Sequence, residues 1–383
     1  MTRLGALVLL LPACASAPDA VRSKGVVDLT VDLTPPDEGY QVVTEPAEVA
    51  PYTEFRACSV VRLEPHGDEE LTWVSEFQSL SSVGSHHLNA LLGTFSFLDV
   101  ALGEGAGEDA LGVGVGTYDC DDLDLMQQVR TFFPSQRSDQ RITLPPGVAA
   151  PFTTPLLVIF DHHYVNTTAD TLLINGGLNF MSVDPEEVAQ VAGLTFDDIS
   201  DLQIEPDSRQ VIASTCVVDR AVDVALVSTH THAQAECATM NAYDGATGEV
   251  SPEPFFVNRV WETPPILHME TGTFHLEPGD GIHWACHYAN AGDTTLINDG
   301  TAAGEMCVMA AATYPAPYTR AEIESMLVSR ELSRLNEVLG AVMAPCDSRV
   351  EAASPYETTP VPLAASEEAC GDLQQTASNV LYE

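Results

Sequence analysis

Short apolar segments bounded by turn-forming residues make up most of the chain, and they restrict its fold more than any other feature of the sequence. Examples are FRACSVVRL, LTWVSEFQSL, PLLVIFDHHYV, TLLINGGLNFM, RQVIASTCVV and MCVMAAATY. Gly, Pro, Asn and Asp interrupt these segments at intervals that suit the strands of antiparallel sandwiches. The sequence therefore predicts an all-β protein.

Two segments have helical patterns instead. DPEEVAQVAG begins with an Asp cap, a Pro in the first turn and two early glutamates, which are signals of a helix start. TRAEIESMLVSRELSRLNEVLGAVM has apolar residues at helical spacing. We expect the second segment to form a short C-terminal helical segment near the end of the folded body.

The N-terminal residues have the pattern of a secretory signal. MTRLGALVLLLPACAS contains a basic residue, an apolar run too short to span a bilayer, and then small residues. Its Leu-Pro-Ala-Cys end resembles a bacterial lipobox, which predicts lipidation of Cys14, with simple secretion as the alternative. Both interpretations predict an exported protein, either a lipoprotein of the cell envelope anchored to the outer membrane or a periplasmic or extracellular protein. Any membrane contact would be made through the lipid alone.

The length of 383 residues fits two domains with tails. We assign residues 1–14 to the signal peptide, 15–51 to an acidic linker, 52–198 and 199–346 to two sandwich domains, and 347–383 to a C-terminal tail. The domain boundary is placed in the acidic turn segment DDISDLQIEPDSR. The run LGEGAGEDALGVGVG lacks the Lys and the helix of a phosphate loop, so we interpret it as a surface loop.

Charge and cysteine content restrict the partners and the compartment. A net charge of −41 repels nucleic acid phosphates, and solubility is its simplest explanation. Assigning Cys14 to a lipid leaves eight of the nine cysteines, an even number for disulfides in an oxidising compartment. No C-x-x-C pair occurs, so a zinc ribbon is not indicated.

Histidine clusters are the strongest chemical signal. His230 and His232 lie one residue apart in a strand, where alternate side chains share a face and can hold one ion. Two further pairs are His86-His87 and His162-His163. Met306 lies beside Cys307, and a set of two histidines and a methionine favours copper, because thioethers select cuprous ions. Hydrogen-bonded histidines without a metal are the alternative interpretation.

Several motifs, in order, resemble the copper type II, ascorbate-dependent monooxygenases, the family of peptidylglycine α-hydroxylating monooxygenase and dopamine β-monooxygenase. The matching segments lie within residues 53 to 346 and are FRACSVVRL, SHHLNALLG, LPPGVAAPF with LLVIFDHHY, STHTHA, LEPGDGIHWACHY and GEMCVM. The resemblance implies two tandem jelly-roll β-sandwich domains, each holding one copper ion, that face each other across a solvent-filled cleft.

The same motifs imply the ligands and the reaction. His86, His87 and His163 would hold the first copper, and His230, His232 and Met306 would hold the second, catalytic copper. The family reaction hydroxylates a substrate C–H bond with dioxygen, and a reductant such as ascorbate recharges both ions. The substrate would be a small molecule, because Ser228, Val308 and Ala310 replace the residues that clamp a peptide carboxylate. Asp161 and His162 either tune the first copper or carry protons, or have only a surface role.

Disulfides are also implied by the motifs. The resemblance pairs Cys58 with Cys120 and Cys286 with Cys307, and it places Cys216 with Cys346, which leaves Cys237 for Cys370. From the residues alone, three pairings of the last four cysteines remain open. A copper-binding surface lipoprotein without turnover is the alternative function, and a pair of structural sandwiches with incidental histidines is a third. Neither the substrate nor the oligomeric state follows from the sequence.

Overall fold

The structure is a computed structural model, and it describes residues 25–65, 71–93, 115–120, 129–298, 304–329, 361–362, 370 and 373–376. Cys14 and Cys346 lie outside these described residues. The expectation of an all-β protein is confirmed, because nearly every described element is a strand.

The first half of the chain forms a sandwich of two large sheets. Its strands are β1 (Val26–Asp28), β2 (Gly39–Val43), β3 (Ala47–Val49), β4 (Glu54–Leu63), β5 (Leu71–Ser81), β6 (Ser85–Gly93), β7 (Gly116–Asp119), β8 (Val129–Phe133), β9 (Asp139–Thr143), β10 (Val148–Thr153), β11 (Leu156–Val165), β12 (Thr171–Ile174), β13 (Gly176–Ser182) and β14 (Gln190–Val191). One sheet has the order β14-β10-β5-β13-β2 with β9 on β5, and the other has the order β7-β4-β11-β6-β8. A small third sheet has the order β1-β12-β3.

The second half repeats this architecture. Its strands are β15 (Gly193–Asp198), β16 (Gln203–Ile204), β17 (Ser208–Val217), β18 (Val222–His230), β19 (Ala235–Asp244), β20 (Glu249–Val250), β21 (Phe256–Asn258), β22 (Leu267–His268), β23 (His275–Leu276), β24 (Gly281–Asn290), β25 (Leu296–Ile297), β26 (Val308–Tyr314) and β27 (Val361–Pro362). The large sheets have the orders β15-β26-β18-β22, with β23 on β18, and β20-β19-β24-β17-β27, with β21 on β19. Strands β16 and β25 form a two-stranded sheet.

Large side chains from facing sheets fill each sandwich. In the first, the rings of Phe77, Phe152 and Phe180 pack with centroids 5.7–5.9 Å apart. In the second, Trp284 and Tyr288 are each 1% exposed. One apolar cluster also joins the two sandwiches, because it contains residues of both sequence halves. The contact between the halves is therefore packed rather than open along this part of their boundary.

Two assigned boundaries differ from the structure. Residues 26–49 do not form a linker, since β2 pairs with β13 and β1 and β3 pair with β12 of the first sandwich. The apolar side chains that alternate along GYQVV are buried there, which an acidic tether would not provide. Strand β15 was assigned to the first domain, but it pairs along its whole length with β26 of the second.

The helix predicted for DPEEVAQVAG is wrong beyond its first turn. Asp184 does cap a short 3₁₀ helix, Pro185–Glu187, by accepting a hydrogen bond from the Glu186 N–H. The chain then leaves the helical path, and β14 extends the sheet beside β10, which buries Val191. Burial in the sheet outweighs the helix-start signals in this short segment.

The C-terminal helical segment is present as helix α1 (Arg320–Ser329), which buries Ile323 and Met326. The remainder of the predicted helix lies outside the described residues. Among the helices that the structure describes, none is long and apolar enough to cross a membrane.

Three disulfides match the expected pairs, namely Cys58–Cys120, Cys286–Cys307 and Cys237–Cys370. Cys216 is also disulfide-bonded, but the expected pairing with Cys346 stays a prediction. The tail is anchored at several points, because β27 pairs with β17 and Thr376 exchanges hydrogen bonds with Val257.

Candidate metal centre

The first histidine cluster is formed by two neighbouring strands of the first sandwich. Strands β6 and β11 are antiparallel neighbours, and their register places His87 directly opposite His163. His86 precedes His87 at the same end of β6. One ring nitrogen from each of the three lies within 4.8 Å of the others, so the structure brings together the residues predicted for the first copper.

Strand alternation separates His162 from this cluster. It is adjacent to His163 in β11, so it projects to the opposite face. Its buried ring makes an edge-on contact with Phe55, with the centroids 6.3 Å apart. Burial, and then the positive charge that His87 would carry, lowers the pKa of His162 to about 4. The choice of His163 over His162 as the clustered residue therefore agrees with the geometry.

Carboxylates hold two of the clustered rings from behind. His87 Nε2 lies 3.2 Å from Asp161 Oδ2, and His163 Nε2 lies 2.5 Å from Glu54 Oε1. The opposite nitrogens, Nδ1 of both rings, are buried and have no hydrogen-bond partner, and the same is true of His86 Nε2. Carboxylates that fix the outer nitrogen while the inner nitrogen points to a common space are typical of metal-ligating histidines.

Asp161 is not a surface residue, since it is 3% exposed. The Arg56 Nε donates a hydrogen bond to its Oδ1 over 3.1 Å, and His87 lies against Oδ2. Burial alone would raise the pKa of Asp161, but His87 and Arg56 outweigh it and hold the pKa below the usual range. A charged Asp161 can therefore orient His87, so the surface role predicted as one alternative does not apply to Asp161, and tuning of a copper ion stays a prediction.

The second cluster is formed where β18 ends. His230 is the last residue of that strand, and the ring of His232 lies 5.0 Å from it, centroid to centroid. One ring nitrogen from each of His230 and His232 lies within 4.8 Å of a ring nitrogen of His86. This second set of three histidines therefore shares His86 with the first set. Burial, and then nearby histidines, lowers the pKa of His86 to about 2, so the ring is neutral and able to bind a metal.

Met306, the predicted sixth ligand, lines the same cavity as His230 and His232. Its position is fixed on both sides. The Cys286–Cys307 disulfide anchors the next residue to β24, and the Tyr288 hydroxyl donates a hydrogen bond to the Met306 carbonyl over 2.7 Å.

Glu305, for which the sequence predicts no role, connects Met306 to the second histidine pair. Its carboxylate accepts hydrogen bonds from the backbone N–H groups of His232, at 3.0 Å, and Gln234, at 2.6 Å. Burial raises the pKa of Glu305 to about 7, although these backbone donors oppose the shift. The available sequence signal was a glutamate next to the predicted methionine ligand, in GEMCVM. Its partners became evident only in the fold.

The expected solvent-filled cleft between the clusters is not present at this point. The His86 ring lies 5.2 Å from that of His232, with Trp261 5.9 Å from His86 on another side. The Gln136 side-chain amide also donates a hydrogen bond to the Trp261 carbonyl over 3.2 Å, which links the two sandwiches beside the histidines. The shared apolar cluster holds the sandwiches close enough for direct contact.

A cavity of about 630 Å³ opens beside the five clustered histidines. Both sandwiches contribute to its wall, which includes His87, His230 and His232 together with many apolar side chains. A pocket of this size next to possible metal ligands can hold a small molecule against them.

Two other groups of potential ligands do not form metal sites of this kind. Cys237, His287 and Cys370 are close together, as are Cys58, Cys120 and Asp161. In both groups the cysteines are bonded to each other, so their sulfur atoms are not thiolate ligands.

No protein-family model and no curated protein sequence matches the chain. Among solved structures, it aligns with the crystal structure of PBSX exported protein XepA at 9% sequence identity and a TM-score of 0.17, over 74% of this chain and 90% of that chain. A similarity this weak supports no statement about fold or function.

Proposed function

We propose that the chain is an exported copper-dependent monooxygenase that hydroxylates a C–H bond of a small molecule, with dioxygen and a reductant such as ascorbate. The observation that carries the proposal is that ring nitrogens of His86, His87 and His163 lie within 4.8 Å of one another. Each of these rings also has a buried nitrogen without a hydrogen-bond partner, and carboxylates contact the other nitrogen of His87 and of His163. Imidazole suits copper among other ions, and a methionine on the adjacent wall favours copper over zinc.

Bound copper would supply one-electron redox chemistry and the activation of dioxygen. The residues of the chain would hold and orient that chemistry. His86, His87 and His163 would hold one ion, and His230, His232 and Met306 the other. Glu305 fixes the backbone around His232, and the cavity gives a substrate access to the second set.

The cavity wall also supports a small, non-peptide substrate. Ser228, Val308 and Ala310 line it at the positions where the resembled peptide hydroxylases bind a carboxylate. The Ser228 hydroxyl donates its hydrogen bond to the Pro265 carbonyl over 2.9 Å. Disulfides that match the expected pairs are consistent with an oxidising compartment and thus with export.

Adjacent histidines on opposite faces of β11 provide a matched test. Copper content should be two ions per chain in the parent protein, and His163→Ala should lose about one of them. His162→Ala should keep both, because its ring points away from the cluster. Copper content is measured on dialysed protein, and oxygen uptake is then measured with ascorbate and a panel of amines, amides and aromatics.

The outcomes separate the alternatives. Copper binding without oxygen uptake on any substrate would favour the copper-binding lipoprotein without turnover. Equal copper content in both variants and the parent would contradict the assignment of the first cluster. Absence of stoichiometric copper would leave the histidines as structural residues.

A further inference from the structure

Three neighbouring strands of the second sandwich form one wall of the cavity. The registers of β15, β26 and β18 align their residues in cross-strand rows. The rows are Asp198, Val308 and His230; then Phe196, Ala310 and Ser228; then Leu194, Ala312 and Leu226. All nine residues line the cavity. Directly opposed residues project to the same face, so this wall is polar at the histidine end and apolar at the other.

The middle strand of this wall carries its smallest side chains. It contributes the small side chains of Ala310 and Ala312, with larger residues on both flanking strands. From the first sandwich, Phe77, Phe132 and Ile142 line the same cavity. The result is an apolar trough along β26 that begins beside His230 and fits an elongated apolar group.

Asp198 provides a negative charge at the polar end of the trough. Among the described residues that line the cavity, the other Asp and Arg side chains are Arg56 and Asp161, which form an ion pair with each other. Asp198 accepts hydrogen bonds from Asn298 Nδ2, at 3.1 and 3.0 Å. Within the described part of the chain, no Lys or Arg forms an ion pair with Asp198. A carboxylate has about four acceptor sites, so it retains capacity for further donors.

We propose that Asp198 binds the ammonium group of a protonated alkylamine whose apolar chain lies in the trough along β26. The row separates the Cα atoms of Asp198 and His230 by two strand spacings, roughly 10 Å, so one small molecule can contact both side chains. The binding site stands on its own geometry. Only the identification of the amine as a substrate rests on the proposed monooxygenase function.

Other charged groups near Asp198 do not neutralise it. Asp197 precedes it on the same strand and adds negative charge. Tyr288 lies close to both Asp198 and Glu305. Burial is the main cause that raises the pKa of the Tyr288 hydroxyl, and the negative charges of Glu305 and Asp198 raise it further. The whole chain also carries a net charge of −41, which attracts cations.

The test measures binding to the metal-free full-length chain at pH 8 by isothermal titration calorimetry. Without copper, neither turnover nor coordination of the amine to a metal contributes to the signal. The probes are n-hexylamine, 1-hexanol and hexanoate, which share a chain and differ in charge. We expect hexylamine to bind at least about 10-fold more tightly than hexanol, since a charge-assisted hydrogen bond is added, and hexanoate to bind most weakly.

Three variants locate the effect. Asp198→Asn should remove the preference for hexylamine over hexanol. Asp197→Asn changes the net charge equally on the opposite face of β15 and should keep that preference. Ala310→Leu fills the trough and should weaken both probes by a similar factor, which separates chain binding from charge binding.

Several results would overturn the proposal. They are binding of hexylamine no tighter than hexanol, an unchanged preference in Asp198→Asn, loss of the preference in Asp197→Asn, tighter binding of hexanoate, or no binding of any probe. Because copper loading and oxygen uptake are measured separately, failure here leaves the monooxygenase proposal standing, and failure there leaves the amine site standing.

Discussion

Replacing Asp198 by Asn should stabilise the protein at alkaline pH and leave its stability almost unchanged at pH 4. Burial, opposed by the Asn298 hydrogen bonds and helped by Asp197, raises the pKa of Asp198 from 3.8 to about 6. Between pH 3.8 and about pH 6, the folded chain binds more protons at the Asp198 carboxyl than the unfolded chain does. The free energy of unfolding therefore falls as pH rises through this window, and the full penalty is present above about pH 6.

The magnitude follows from the shift. Raising the pKa from 3.8 to about 6 corresponds to roughly 3 kcal/mol of destabilisation once the group is fully ionised. Part of that penalty has already developed at pH 4, so the change between pH 4 and pH 8 is about 2 kcal/mol. Loss of one Asn298 hydrogen bond would offset the gain by about 1 kcal/mol at both pH values. The difference between the two pH values is the more direct measurement, because this offset cancels.

Urea unfolding of the parent and Asp198→Asn at pH 4 and pH 8 measures the effect, with disulfides intact and no copper. Glu270→Gln is a suitable control, because it removes the same charge from an exposed position of the second sandwich. A stability difference between parent and Asp198→Asn that is the same at both pH values would show that Asp198 is not a buried acid of this kind. Asp198 would then not carry a desolvated negative charge in the cavity.

Three further predictions concern the metal ligands and the disulfides. Glu54→Gln should weaken copper binding at the first cluster by about 10-fold or more, since His163 loses the carboxylate that contacts its Nε2. Competition with a chelator measures the affinity, and the control variant Glu64→Gln, at an exposed position, should bind copper as the parent does. Met306→Ile should abolish ascorbate-dependent oxygen uptake while the fold and the first copper remain. Met309→Ile should retain uptake, because the Met309 side chain faces the other side of β26. Equal oxygen uptake in both variants would remove Met306 from the mechanism. Replacing both cysteines of Cys286–Cys307 by Ser should lower the free energy of unfolding by about 3 kcal/mol. The same change at Cys58–Cys120 should lower it by about 4 kcal/mol, because this disulfide joins residues 62 apart in sequence, whereas the other joins residues 21 apart. Denaturant unfolding of the two double variants measures the difference, and the reverse order of stability would contradict the loop-entropy explanation.

Local patterns were sufficient to predict the strand content, because turn residues between apolar runs define strands. The grouping of His86, His87 and His163 was predictable only from the resemblance of several ordered motifs to a known family. Local patterns failed for residues 26–49, where acidic residues suggested a tether although the apolar residues of β2 alternate and pair with β13. Composition averages over a segment, whereas sheet pairing depends on alternate positions.

The less predictable part of the site lies in contacts between distant segments. Glu54 supports His163 across the β4 and β11 pair, and Trp261 approaches His86 from the second sandwich. Trp261 has no neighbouring motif, and Glu54 lies just before FRACSVVRL, a motif that does not indicate a histidine partner. The separation of the clusters was also not predictable, because it depends on how the two sandwiches pack and not on the ligands themselves.

The sharing of His86 between the two sets imposes a stoichiometric limit on any metal that the centre takes up. Two ions with three donors each require six donor atoms. In the described part of the chain, five rings belong to the two sets, namely His86, His87, His163, His230 and His232. When His86 serves one ion, the other is left with two imidazoles and must recruit a donor of a different kind, for which Met306 is available on the cavity wall. Titration with metal should therefore deviate from the curve of two identical, independent sites.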